Sequence, residues 1–529
     1  MALRDAPAAQ QAEPDHSPFL SAVPCRTIRS ALSQAPRSKR IFEKFVADQD
    51  NIGPGVRARR SWPSFWSRTR FFVILGTERN TPAPTHPMNA SSDVAAVEMP
   101  AHDQYGLGLL ILCHIVTSCI SLIFVVEYFR GLLPLAANSR DLIFAAVAGV
   151  IPCVLCSIVF TIRRFSFGYI LGFYFYTLIL GYLWLVPFST FPYNHRAAAI
   201  SAASSGIAFL IPALFVNAPL PRRAVLTARR LDALLAAILV LSMGVLAIGA
   251  TFRFQFVSLA DMYKFRDEIE LPRWLQYGIG LISGALLPFA YTCFVQLRRY
   301  LLAALCLLLL VLFYPISLTK VALLAPGWLL FLTLLSFYLE ARIAVVLTLL
   351  LPILAGVLIV LLYRCGLVSE KSFIYFGTVN FRMIAMPSSA LDFYNDFFAT
   401  HPLTHFCHIT TLKLVMSCPY KDQLSVYMAD NYHVGYFNAS LFATEGIASV
   451  GLAFAPLSAL ACGLIIGLGN RASAGLPPRF VLLSSGLLVQ MFMNVPLTVA
   501  LITNGAAVLF LLWYIAPRDL LGDAKRASP

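Results

Sequence analysis

Charge is what this sequence has least of. Lys, Arg, Asp and Glu make up 12% of its 529 residues, about half the roughly 25% usual in a soluble domain. That shortage excludes an ordinary water-soluble chain and points to lipid as the solvent. The deficit is lopsided, with 26 Asp and Glu against 40 Lys and Arg. The basic residues are spread over many short loops instead of gathering on one face, which argues against nucleic acid as a partner. Cysteine is thin as well, with 11 residues lying mostly inside apolar runs. Cys153-Val-Leu-Cys156 has redox or metal spacing but no acid or His beside it, so it reads as packing. No internal repeat relates the two halves, although secondary transporters tend to show one.

Long apolar runs are what the sequence does have. A helix crossing the hydrocarbon core needs about 20 apolar residues. Twelve candidates fall near 106–126, 142–162, 167–188, 197–217, 231–250, 277–295, 300–317, 321–338, 343–362, 447–468, 479–496 and 498–516. The expected fold is therefore all-α, a polytopic integral membrane protein of about 12 transmembrane helices. Spans 7, 8, 11 and 12 are short and abut one another, so ten or eleven crossings stay open. Arg163, Arg164, Arg222, Arg223, Arg229, Arg230, Arg298, Arg299, Arg342, Arg471, Arg479, Arg518, Lys525 and Arg526 flank every second helix end. Since Lys and Arg accumulate in cytoplasmic loops, both termini are expected inside.

Residues 1–87 differ from the rest, with 13 basic and 7 acidic residues, frequent Pro and Ser and no sustained periodicity. They read as a basic, disordered leader, and Met88 is an alternative start. Residues 88–526 then form the polytopic membrane domain. Its expected outer features are the loop 251–276, Lys320 at the end of span 7, and the interval 364–446, too long to be a mere connector. Cys365, Cys407 and Cys418 lie in that interval; in an oxidising compartment two of them can pair, and at least one is left over.

Within the interval stands "NFRMIAMPSSALDFYNDFFATHPLTHF", residues 380–406. Pro387 followed by Ser389-Ala-Leu-Asp392 reads as a helix start. Leu391, Tyr394 and Phe398 recur at helical spacing, and Thr400 before His401-Pro402 marks the end. The pattern predicts a short helix lying in the interface plane with its apolar face towards lipid. Arg382, just ahead of it, carries a planar fork suited to phosphate oxygens. Lys320 between two apolar runs needs a partner or must snorkel, and Arg266 in Asp261-Met-Tyr-Lys-Phe-Arg266 is a second phosphate-competent Arg. His401, His405 and His408 have metal-like spacing, but Pro402 speaks against a site, and no metal is expected. Asp392, Asp396, His401 and Glu445 are the candidate general bases.

In order along the chain, "SLADMYKFRDEIE", "ISLTKVALLAPGWLLFL", "NFRMIAMPSSALDFYNDFFATHP", "YFNASLFATEGIASVGLAFAP" and "NVPLTVALITNG" resemble the O-antigen polymerase (Wzy-type) family of oligosaccharide repeat-unit polymerases. The resemblance spans about 250–505 and implies a GT-C-like membrane fold. It also implies transfer of a growing glycan from polyprenyl diphosphate onto the next lipid-linked repeat unit, at the periplasmic face of the bacterial inner membrane. Arg266, Lys320 and Arg382 would bind the diphosphate, and Arg382, His401, Asp392 and Glu445 would serve catalysis. Tyr394 and Phe397 would stack on sugars. No cofactor is needed, because the donor is lipid-activated. Expected partners are the undecaprenyl-diphosphate-linked oligosaccharide, membrane lipid, a chain-length regulator and a flippase.

A glycan ligase of similar layout, a flippase or transporter, and a purely structural membrane protein are the alternatives weighed. A transporter would bury ionisable groups at mid-membrane; here the polar groups cluster at one face. Reporter tags inserted in 364–446 are expected on the opposite side of the membrane from tags in 216–227. Both on the same side would refute this topology.

Overall fold

The computed structural model describes residues 101–252, 254–257, 271–409, 412, 415–433 and 439–521. The 1–87 leader, Arg266 and most of the expected outer loop 251–276 lie outside the described residues. Ten helices among those described are long and apolar enough to cross a membrane, which makes the chain a multi-pass membrane protein. They are α1 (Gln104–Phe129), α2 (Arg140–Ile162), α3 (Phe167–Phe188), α4 (His195–Phe215), α5 (Ala228–Phe252), α6 (Arg273–Gln296), α7 (Tyr300–Ser317), α8 (Lys320–Tyr338), α9 (Ala341–Arg364) and α12 (Phe442–Ser473). Between the last two lie α10 (Met386–Thr400) and α11 (Leu424–Tyr432). The expected eleventh and twelfth spans are shorter helices, α13 (Pro478–Phe492) and α14 (Ala506–Ile515). The stretch 498–516 is interrupted because Gly505 takes a left-handed φ of 80° after the short helix Leu497–Ile502. A turn of that hand ends a right-handed helix.

At the centre stands α3. From Phe167 to Leu185 every residue is buried, as expected for a helix that is apolar on all sides. Most of its polar side chains find partners inside the protein, since lipid offers none, while Trp184 Nε1 has no hydrogen-bond partner among the described residues. The Tyr169 hydroxyl donates to the Phe160 carbonyl and that of Tyr176 to the Cys153 carbonyl, each at 3.0 Å. Tyr174 pairs with Thr348 at 2.8 Å. At the N-terminal turn the Gly168 N–H donates to Asn470 Oδ1 at 2.6 Å, while Asn470 Nδ2 donates to the Ala213 carbonyl at 2.7 Å. One buried amide thus joins α3, α4 and α12. The same crossing explains Gly168: a Cβ there would sit 1.9 Å from the Ala213 carbonyl oxygen. Along α12, Ala455, Ala459, Gly463 and Gly467 recur every fourth residue, all four buried, on the helix that packs along α4. Small residues in this register let two helices approach closely in a membrane.

Cross-connections sort the loops into two ends. At one end Arg342 donates to the carbonyls of Thr161 and Arg163, Arg299 pairs with Asp232, Arg471 donates to Ala218, and Leu226 bonds Ile515. At the other, Arg364 pairs with Glu127, Leu135 bridges Ser189, and Tyr193 reaches Asp392. The arginine-flanked helix ends of the sequence are thus gathered together, as alternating crossings require.

One expectation needs correction. The helix 386–400 does not present its apolar face to lipid; ten of its fifteen residues are buried, packed on α3 and on the start of α12. Nor does Ser389 begin it. The chain is already helical through a wide π turn at Phe381–Ala385, and Ser388 lies inside, donating to the Leu178 carbonyl at 3.0 Å. The end at Thr400 is as expected.

Gly168→Val should lower the thermal stability of the detergent-solubilised protein by at least the 1–3 kcal/mol, roughly, that overpacking costs. The partner is a backbone carbonyl that cannot swing away, so an unchanged unfolding temperature would refute the packing described here.

Candidate functional site

The face carrying α10 holds a polar network that begins on α3 and ends on a carboxylate. After α3 a short loop, 189–194, turns the chain into α4, whose first turn is capped by Asn194 accepting from the Ala197 N–H. That loop sets Tyr193 over α10. Asp392 and Asn395, three residues apart, lie on the same side of α10. Tyr193 donates its hydroxyl proton to Asp392 Oδ1, so its oxygen must accept from Tyr182 at 3.1 Å. The Tyr182 oxygen accepts in turn from Asn395 Nδ2 at 2.9 Å. Each donor in this chain points towards the carboxylate, and Asn395 Oδ1 at its far end is buried with no hydrogen-bond partner among the described residues.

Asp392 is 5% exposed. Burial pushes its carboxyl up to about 7, with Asp396 adding to the rise, against the opposing pull of the Tyr193 and Ser189 hydroxyls. Burial likewise raises the Tyr193 hydroxyl, and the neighbouring Tyr182 and Asp392 raise it further. Beside this chain Tyr432 of α11 donates to Asp396 Oδ2 at 2.7 Å, inside an aromatic cluster with Phe191 and Phe393. Tyr193 is only half-buried, in contrast to the buried Tyr182, Asp392 and Asn395.

Glu445 lies on the other flank of α10. Two residues along a helix turn it by about 200°; accordingly Asp392 faces the 189–194 loop while Tyr394 feels the charge of Glu445, which together with burial raises its hydroxyl. Glu445 is 4% exposed, in the π turn Phe442–Ala448, and accepts from Thr444. His408 Nε2 approaches its Oε1 at 3.8 Å. The loop carrying His408 is closed by the Cys407–Cys418 disulfide and tied to α12 by Thr404 N–H donating to the Ala448 carbonyl at 2.8 Å. Two of the three expected cysteines thus pair, and Cys365 stands apart from them.

The remaining expected residues divide. Arg382 is exposed in the turn that leads into α10, with no ion pair among the described residues. His401 closes α10, stacked at 3.9 Å on the Phe397 ring, with Nδ1 held by the Phe397 carbonyl at 2.9 Å, which leaves Nε2 for other partners. Lys320 starts α8, half-buried beside a satellite cluster of Tyr314, Leu318 and Ala322. Arg266 lies outside the described residues. Sugar stacking by Tyr394 and Phe397 is closed off: the two rings are 1% and 2% exposed, and His401 covers the Phe397 face. His401, His405 and His408 do not share a helical side, because the helix ends at Thr400 and His405 and Phe406 take left-handed φ of 47° and 66°. No cluster of three metal-ligating side chains occurs among the described residues. Tyr182, Tyr193, Asn395 and Tyr432 escaped the sequence reading. Their one signal was "FSTFPYNH" at 188–195, a short loop too rich in aromatics for a simple turn.

A carboxyl with its pKa raised on folding stabilises the protein while protonated and loses that contribution as pH rises. For Asp392 the window runs from about 4 to about 7, at up to about 1.4 kcal/mol per pH unit. The stability of the wild type relative to Asp392→Asn should therefore fall across that window in thermal unfolding at stepped pH. Parallel curves would show that Asp392 does not titrate there. No protein-family model, no curated protein and no solved structure matches this chain.

Proposed function

We propose that this chain is a membrane glycosyltransferase that polymerises lipid-linked oligosaccharide repeat units at the periplasmic face of a bacterial inner membrane, with both termini cytoplasmic. The observation that carries the reading is the directed hydrogen-bond chain ending on Asp392, at the same end of the bundle as the exposed Arg382. A carboxyl brought near neutrality is suited to general-base work at physiological pH. Tyr193 O takes the acceptor hydroxyl proton and passes its own to Asp392. The acceptor oxygen then bonds to the anomeric carbon as the bond to the diphosphate breaks. The departing polyprenyl diphosphate gathers negative charge, which an exposed guanidinium such as that of Arg382 stabilises.

Two further facts support the placement. The Cys407–Cys418 bond is at home on an oxidising side of a membrane. The arginine-rich loops occupy the other end of the bundle, the arrangement expected of cytoplasmic loops. The resemblance to Wzy-type polymerases supplies the substrate class.

Arg382→Ala and Asp392→Asn should each abolish long glycan chains and leave single repeat units on the lipid anchor. Tyr193→Phe should slow elongation by about 10²–10⁴. The readout is the chain-length ladder made by purified protein from lipid-borne oligosaccharides. Wild-type protein that elongates nothing sinks the proposal, as does accumulation of repeat units on the cytoplasmic leaflet in the variants, the mark of a flippase.

A further inference from the structure

The end of the bundle opposite Asp392 carries a second group of charged side chains that the glycosyl-transfer reading does not use. Three segments meet there: the 216–227 connection between α4 and α5, the end of α12, and the chain leaving α14. Leu220 N–H donates to the Arg471 carbonyl at 3.3 Å, Arg471 Nε to the Ala218 carbonyl at 3.0 Å, and Leu226 N–H to the Ile515 carbonyl at 2.9 Å. Tyr514 fixes the crossing, donating to the Pro221 carbonyl at 2.8 Å and accepting from the Arg223 N–H at 3.0 Å.

This scaffold holds two guanidinium groups of like charge, Arg222 and Arg518, close enough for Arg222 to depress the ionisation of Arg518, with burial the larger cause. Burial lowers Arg222 too, while Asp519 and Tyr514 counteract it. Arg222 Nε and Nη2 and Arg518 Nε are shielded from solvent and have no hydrogen-bond partner among the described residues. Gly475 makes room for the second of them: it holds a left-handed φ of 84°, and a Cβ there would stand 2.8 Å from Arg518 Nη1. Asp519 is exposed and forms no ion pair with either arginine among the described residues. Two like charges held together with unmatched N–H donors is an arrangement that an anion relieves, and guanidinium forks match phosphate oxygens.

We infer that Arg222 and Arg518 form a binding site for a phosphate-bearing anion at the arginine-rich face of the bundle. Val225 and Leu520 are exposed apolar residues in these segments, which favours an anionic phospholipid, its headgroup on the arginines and its chains beside them. Free phosphate offers the same chemistry without the chains.

Thermal unfolding and native mass spectrometry of the full-length protein test the site, with mixed micelles of phosphatidylglycerol, with phosphatidylcholine, and with inorganic phosphate against chloride at matched ionic strength. Phosphatidylglycerol should stabilise and remain bound where phosphatidylcholine does not, and the R222Q/R518Q pair should weaken its binding by about tenfold or more. Stabilisation by inorganic phosphate as well would locate recognition in the phosphate alone; stabilisation by the lipid only would show that the chains contribute. Asp519→Asn, which removes the acid whose charge acts on Arg222, should tighten binding. No selective effect of either phosphate source, equal binding by the double variant, or no tightening in Asp519→Asn overturns the site. None of these outcomes depends on whether the protein transfers sugars.

Discussion

The described bundle is arranged around a helix buried from Phe167 to Leu185. In lipid a buried hydroxyl or amide left unmatched costs several kcal/mol, roughly, so the polar atoms of α3 dictate what surrounds it. Tyr169 and Tyr176 reach the backbone of α2, Tyr174 reaches Thr348 of α9, and Asn470 clasps the first turn to α4 and α12. The candidate site continues the same logic. Tyr182, one turn before α3 ends, passes its hydroxyl to Tyr193 and so to Asp392. The acid is held where it is because the central helix has a donor to place.

Helix α10 divides this end of the molecule into two environments. On one flank Asp392 is served by hydroxyls; on the other Glu445 has Thr444 and the distant His408. Wide π turns stand at Phe381–Ala385, before α10, and at Phe442–Ala448, where α12 begins. Such turns re-aim side chains relative to a regular helix and recur at functional sites. Here one displays Arg382 and the other turns Glu445 inward. The two acids therefore sit in separate environments, and Asp392 is the one linked to the half-buried Tyr193.

The opposite end is built by a different principle. Among its arginines Arg342 and Arg471 cap carbonyls, Arg299 pairs with Asp232, and Arg163 crosses over the Phe215 ring at 3.4 Å. The inward atoms of Arg222 and Arg518 have no hydrogen-bond partner among the described residues. That contrast separates arginines that merely mark a membrane surface from a pair arranged to hold something.

Much of this was legible in the sequence, and the boundary between what was and was not is physical. Apolar runs of about twenty residues and loop arginines depend only on composition and order, so the ten long helices and the sorting of basic helix ends could be read directly. The sequence by itself determined a multi-pass α-helical protein. It could not show that α10 is buried, because an amphipathic stripe covers lipid and protein equally well and only the neighbours α3 and α12 decide between them. The same ambiguity misplaced Tyr394 and Phe397. Nor could it assemble Tyr182, Tyr193, Asn395 and Asp392, whose hydrogen bonds link positions some two hundred residues apart. Only the tertiary structure decided which acid is buried beside which hydroxyl, because burial and proximity belong to the packed bundle and to no single stretch of chain.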